Sequence, residues 1–331
     1  MKKTLVALAV LAASGASFAQ VTLSGEFAYG FLATTDGAGN TASGLGIDTG
    51  LLVFSAKEDL GQGYMAEVTM KTDSSSGRSG TITNDDQTLA LTTPVGKITM
   101  GSWRPGEYLS AISGRETWYG LDNRVTSARS TRDSIGIAIP VTKEISLSAT
   151  YFEPAGLIGE GSGTAGTSAQ QNTVYSASYR SGKLVAGLSA ITYNNVTSSD
   201  ATLKGITRGG ANYDFGFLKA GLGLQVANHG GGGTNTQTMV SFSAPLGPVS
   251  LNAAWASNNV DVSSTSALSS LNGTRTGYML GAQYNLSKRT YGILNYGSWL
   301  GTGAAVAGGA AGSSYGAQNN NLTALTLVHD F

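Results

Sequence analysis

Apolar and polar residues alternate along most of this chain with a period of two. Tyr64, Ala66, Val68 and Met70 fall on one face, while Met65, Glu67, Thr69, Lys71 and Asp73 fall on the other. Ile145, Leu147, Ala149 and Tyr151 alternate with Ser146, Ser148 and Thr150. Leu218, Ala220, Leu222, Leu224 and Val226 alternate with Lys219, Gly221, Gly223 and Gln225. One oily face and one polar or very small face mark a strand buried on one side. The pattern predicts sixteen strands, beginning near residues 21, 48, 64, 86, 97, 131, 145, 172, 184, 205, 218, 236, 249, 274, 289 and 321. The last runs to the carboxyl end, with Thr323, Leu325, Leu327, His329 and Phe331 on one face. Soluble domains usually finish in a frayed polar tail instead.

The separators between these strands take turns. Short ones are tight, such as Asp59-Leu60-Gly61-Gln62-Gly63, Pro94-Val95-Gly96, Ser181-Gly182-Lys183 and Asp214-Phe215-Gly216. Long ones, over 74–85, 155–171, 261–273 and 301–320, are polar and rich in glycine. An even number of strands, with short turns at one end and long loops at the other, is the layout of an outer-membrane barrel. The predicted fold is therefore all-β: a sixteen-stranded antiparallel transmembrane β-barrel. Closure requires the last strand to pair with the first, which explains why the terminus cannot fray. Phe331 is then expected at the interfacial aromatic girdle, with Leu325 and Leu327 facing lipid.

Tyr291 and Trp299 share a face, and their separation corresponds to roughly 20 Å of height against an apolar band of about 25 Å. A pair of interfacial aromatics fits that spacing, and ordinary strand packing fits it equally. Asn295 lies on the same face, where lipid would reject it and a subunit contact would accept it.

Composition narrows the alternatives. Charged residues are 12% of the chain, against about 25% in soluble proteins. A β-sandwich also alternates, but its outer faces meet water and are normally charged. A secreted β-helix would carry a fixed short repeat, and none is present. Met1-Lys2-Lys3, the apolar run from Thr4 to Ala13 and Ser17-Phe18-Ala19 read as a secretory signal over 1–19, leaving 20–331 as the barrel. The net charge is zero, which indicates no attraction to nucleic acid, and with no cysteine there is neither a disulfide framework nor a thiolate metal site. No cofactor or metal is expected. His229 and His329 are the only histidines, and neither has the serine and orienting group of a hydrolase, so no enzyme is expected.

Several stretches resemble the Gram-negative porins of the beta-proteobacterial type. They are Val21–Gly25 (VTLSG), Lys57–Val68 (KEDLGQGYMAEV), Lys97–Gly101 (KITMG), Ser130–Ile135 (STRDSI) and the terminal His329-Asp330-Phe331. Glu58-Asp59-Leu60-Gly61 is similar to that family's first periplasmic turn. The resemblance implies a homotrimer in the outer membrane, with the third long loop folded into the lumen and arginines that favour anions at the constriction. It also marks Leu51 and Ser102 as places where relatives carry wall arginines, with Arg104 a substitute on the face of Ser102.

That third loop is expected over 102–130. No lysine occurs between Ile98 and Thr142, yet Arg104, Arg115, Arg124, Arg129 and Arg132 all lie there, with Glu107, Glu116, Asp122 and Asp133. Lysines such as Lys57, Lys97 and Lys183 mark the short turns instead. Arginine's planar fork holds fixed geometry beside carboxylates, whereas lysine is a mobile point charge. The expected constriction is Arg104, Arg115, Arg124, Arg129 and Arg132 with Glu107, Glu116 and Asp122, some lining the pore and some holding the loop by ion pairs. Arg132 shares parity with Ser134, Gly136 and Ala138, opposite Ile135, Ile137 and Ile139, so it should face the lumen. Glu26, Glu67 and Lys71 are expected on the lumen wall, and Phe331 as the terminal-strand assembly signal. The expected activity is passive diffusion of ions and small hydrophilic solutes with mild anion preference. A channel for one small organic anion and a closed structural or adhesive barrel are the alternatives.

Overall fold

The computed structural model describes residues 20–36, 39–73, 83–103, 109, 113, 125–126, 132–153, 171–199, 202–263, 269, 272–301 and 320–331. The expected signal segment, 1–19, lies outside them. Sixteen strands run β1 (Gln20–Asp36), β2 (Thr41–Gly61), β3 (Tyr64–Asp73), β4 (Thr83–Thr93), β5 (Gly96–Trp103), β6 (Arg132–Pro140), β7 (Ile145–Glu153) and β8 (Asn172–Ser181). They continue as β9 (Leu184–Tyr193), β10 (Leu203–Asp214), β11 (Lys219–His229), β12 (Thr234–Leu246), β13 (Val249–Asp261), β14 (Gly273–Asn285), β15 (Thr290–Gly301) and β16 (Asn320–Asp330). Each pairs antiparallel with its sequence neighbours, and β1 pairs with β16, so the sheet closes on itself. Closure leaves no edge and gives every spanning backbone group a partner, the condition for a sheet in lipid.

Fifteen strands begin within three residues of the predicted positions; β2 begins seven earlier, at Thr41. The cause is a bulge. Ala28 pairs with Thr49 and Tyr29 with Ile47, so Asp48 has no opposite number. The extra residue moves the outward row from Leu45 and Ile47 to Leu52 and Phe54, which breaks the period in sequence although the strand continues. At the other end of β2 the chain turns through Gly61, Gln62 and Gly63, all left-handed at φ 81°, 54° and 82°. Glycine adopts that conformation without strain.

Each strand sorts its side chains as the alternation requires. On β16, Leu325 and Leu327 are more than half exposed on the outer surface, while Leu322, Ala324, Thr326 and Val328 are buried inside. Phe331 continues the pairing beyond the strand: its N–H donates to Gly25 O at 3.1 Å and its carbonyl accepts from Gly25 N–H at 3.0 Å. The ring lies on the outer face, 2.5 Å from where a side chain on Gly25 would begin.

On β15 the two faces are the reverse of the interfacial reading. Leu294, Tyr296 and Leu300 point out, whereas Asn295 and Trp299 are buried inside. Asn295 pairs with Ala324 on β16, itself an inward residue, and Trp299 pairs with Gly277 on β14. Tyr291 and Trp299 therefore belong to the lumen row, and Asn295 needs no subunit contact. The outer aromatics are Tyr296 and Tyr278, with ring centroids 6.1 Å apart.

The inner surface is uneven around the barrel. Inward positions on β11–β16 are mostly buried, as in Gln225, Met239, Ala256, Met279 and Trp299. Inward positions on β2, β3 and β6 remain partly open. One half of the interior is filled and the other is not.

Candidate functional site: the pore wall

The open half includes the inward rows of β2, β3 and β6, and most of the described charges that face it come from the first five strands. Glu67 sits between two lysines: Lys57 Nζ is 2.9 Å from one carboxylate oxygen and Lys97 Nζ 3.0 Å from the other. Lys57 and Glu67 are direct cross-strand partners on β2 and β3. Lys71 Nζ lies 3.0 Å from Asp86 Oδ2 on β4. Glu26 faces inward on β1, opposite Asp330 on one side and Leu51 on the other. Glu26, Glu67 and Lys71 all belong to inward rows. Lys57 and Lys97 are lumen residues within strands rather than turn markers. Their place was legible, because folding the chain about Gly61–Gly63 sets Lys57 beside Glu67.

Exposed ion pairs of this kind contribute about 0–1 kcal/mol to stability, so their main effect is on the field in the lumen. Glu67→Gln should keep the side chain's size but leave one acceptor oxygen where two stood, with two ammonium groups beside a neutral amide. The reversal potential in a salt gradient is expected to move toward the anion side. The shift should grow in dilute salt, where the Debye length rises from about 8 Å at 0.15 M to about 30 Å at 0.01 M. An unchanged reversal potential would exclude Glu67 from selectivity.

The filled half is built differently. Leu109, Ser113, Val125 and Thr126, from the segment between β5 and β6, are all at most 3% exposed. Leu109 and Val125 join one apolar cluster with Met239, Ala254, Ala256, Met279, Trp299, Leu322 and Ala324 from the inner wall. The wall is cut away to receive them. A Cβ on Gly223 would lie 3.0 Å from Leu109 O, one on Gly277 2.8 Å from Val125 Cγ2, and one on Gly221 would overlap Ser113 O. Ser241 Oγ donates to Ser113 O at 2.7 Å. Residues 109 and 113 are both helical.

Beside this seat runs a polar row that sequence reasoning did not single out. Arg208, Gln225, Gln237, Asn258 and Arg275 stand opposite one another across β10 to β14. Arg208 Nε donates to Gln225 Oε1 at 2.6 Å, Gln225 Nε2 to Gln237 Oε1 at 3.2 Å, and Gln237 Nε2 to Asn235 Oδ1 at 3.2 Å. Only cross-strand register reveals such a row, since its members lie 12–21 residues apart.

The expected constriction residues Arg104, Arg115, Arg124, Arg129, Glu107, Glu116 and Asp122 lie outside the described residues. Arg132 opens β6 paired with Trp103, and the register keeps position 132 in the row of Ser134, Gly136 and Ala138. Its side chain is not among those described. Ser102 departs from expectation. It pairs with Gln87, which pairs with the outward Met70, so Ser102 belongs to the outer row and is not a lumen position. Leu51 does stand on the lumen wall, in the row of Val53, Ser55 and Lys57.

Comparison with known proteins bears on what such a barrel does. A sequence model described as "Gram-negative porin" matches residues 4–324. No curated protein matches by sequence. The anion-selective porin from Comamonas acidovorans superimposes with a TM-score of 0.71 at 20% identity, covering 95% of this chain and 100% of that one. OmpT of Vibrio cholerae in its trimer form gives 0.67 at 11% identity, covering 95% and 99%. The outer membrane channel DcaP of Acinetobacter baumannii gives 0.70 at 10% identity, covering 95% and 97%. At these identities the likeness carries the fold, and the near-complete family match carries the rest. The chain belongs to the Gram-negative porins and is an outer-membrane diffusion channel.

Proposed function

We propose that the channel conducts ions and small hydrophilic solutes with a mild preference for anions, through the open half of a lumen narrowed by segment 104–131. The observation that carries this reading is the division of the interior. Leu109, Ser113 and Val125 press on the wall of β11 to β15, while the wall bearing Lys57, Glu67, Lys71 and Lys97 stays accessible. Arg104, Arg115, Arg124, Arg129 and Arg132 supply positive charge near that narrowing, tempered by Glu107, Glu116 and Asp122. The anion-selective porin from Comamonas acidovorans, similar in fold, supports the same sign. We further propose a homotrimer, in keeping with the trimer form of Vibrio cholerae OmpT, and export directed by a signal peptide over 1–19.

Reconstitution into a planar bilayer should give stepwise conductance with a reversal potential on the anion side in a salt gradient. Arg124→Ala with Arg132→Ala should lower the anion preference. Two charges about 10 Å apart in water interact by roughly 0.4 kcal/mol, a factor near two, so the change is modest and greatest in dilute salt. Identical selectivity in the double variant at low salt would make those arginines loop staples. Solute-dependent block at micromolar concentration would favour a channel dedicated to one organic anion.

A further inference from the structure

On the outer wall, the outward row of β10 is low. Thr207, Gly209 and Ala211 form the floor of a groove walled by Leu188 on β9 and by Leu222 and Leu224 on β11. Its volume is about 430 Å³ and its lining is almost wholly apolar. The three leucines stand 47–58% exposed on either side, across a gap of about 10 Å set by two strand spacings. Toward the periplasmic rim the same row continues as Tyr213, then Phe215 and Phe217, with successive ring centroids 4.7 and 6.3 Å apart. Phe217 is 73% exposed, more than any other large apolar side chain among the described residues.

We propose that this groove binds one glycerophospholipid of the periplasmic leaflet, with an acyl chain along β10 and the glycerol at the aromatic trio. Three features favour that occupant. The groove continues the outer apolar band of the barrel, which meets hydrocarbon. It is one strand wide, which admits a flexible chain but excludes the convex wall of a second barrel. Aromatic rings at its rim match the amphipathic boundary between acyl chain and headgroup, where aromatic residues concentrate. Elsewhere the outer wall carries large side chains, such as Leu89, Ile137, Tyr278 and Leu294.

Gly209 does not adopt a left-handed backbone, and an added Cβ would meet the flexible end of Leu188 at 3.2 Å and, at an ordinary contact of 3.5 Å, Gly187 O. Gly209→Leu therefore fills the groove without disturbing the lumen. The folded protein, purified in mild detergent and incubated with phosphatidylglycerol, would be examined by native mass spectrometry. The wild type is expected to retain one lipid per barrel. Gly209→Leu should retain on the order of tenfold less, the effect of withdrawing about two methylenes from contact, with conductance matching the wild type. Ala211→Leu fills the same groove if Gly209→Leu folds poorly. Equal retention by wild type and both filled variants would overturn the proposal. So would disulfide-linked barrels from Gly209→Cys, a clean probe in a chain without cysteine, because they would place a second copy in the groove.

Discussion

Replacing Gly221 with valine is expected to lower single-channel conductance and to make it noisier. Gly221 lies on the inner face of β11, where any side chain would overlap the carbonyl oxygen of Ser113. Ser113 O is also the acceptor for Ser241 Oγ, so it is held from the neighbouring strand as well. The obstacle is backbone on both sides, and no rotamer change relieves it. Restoring an ordinary contact of about 3.5–4 Å moves the segment at 113 by on the order of 2 Å away from the wall, into the lumen. Leu109 and Val125 then lose part of their fit against Gly223 and Gly277, which adds a packing loss of roughly 1–3 kcal/mol. Conductance in concentrated salt reports the width of the water path without the charge effects that dilute salt would add. A Gly221→Val channel with wild-type conductance and wild-type resistance to urea would show that this seat does not position the segment. Gly223→Val should be milder, since its nearest obstacle is 3.0 Å away.

Valine at Gly25 is expected to have the largest effect on folding. Gly25 is the last residue of β1 that touches the terminus, bonded both ways to Phe331. A Cβ there would run into the carbonyl oxygen of Leu51 on one side and lie 2.5 Å from Phe331 Cζ on the other. Overpacking commonly costs about 1–3 kcal/mol, and a backbone obstacle at the closing seam puts Gly25→Val at or above the top of that range. The seam is where the sheet acquires its last ladder, so its loss exposes two edges to lipid. Folded and unfolded barrel would be separated by gel mobility before and after heating. The folded fraction should fall sharply for Gly25→Val and modestly for Phe331→Ala, whose ring is 45% exposed. Combining the two relieves the ring contact but not the carbonyl overlap, so the double variant should remain poorly folded. Full rescue by Phe331→Ala would mean that the ring alone makes glycine necessary at 25.

The strands themselves were legible because lipid outside and water inside impose one chemical alternation on every strand. Where that rule is locally suspended, the reading slipped. Asp48 is an extra residue in a bulge, and it conceals the first turn of β2 because the outward set changes parity there. Asn295 is the opposite case. Its polarity pointed to the lumen, while Tyr291 and Trp299 on the same face drew the reading toward an aromatic girdle. An aromatic side chain is welcome both at a membrane interface and against a packed segment, so it does not decide a face; an amide does. Ser102 went to the wrong side because a small residue near a rim carries no preference, and only its chain of partners through Gln87 to Met70 assigns it.

The amino-acid sequence by itself determined the number of strands, their order, the closure through Phe331 and the class of the molecule, since these follow from local periodicity and turn chemistry. What the tertiary structure decided is everything that depends on which residues meet across the sheet. The clamp of Lys57 and Lys97 on Glu67, the row from Arg208 to Arg275, and the recess of Gly221, Gly223 and Gly277 that receives Leu109, Ser113 and Val125 join positions far apart in the chain. Period two tells which way a side chain points but not what stands opposite it. That is set by register and by the curvature that brings one wall of a barrel round to face a segment from another.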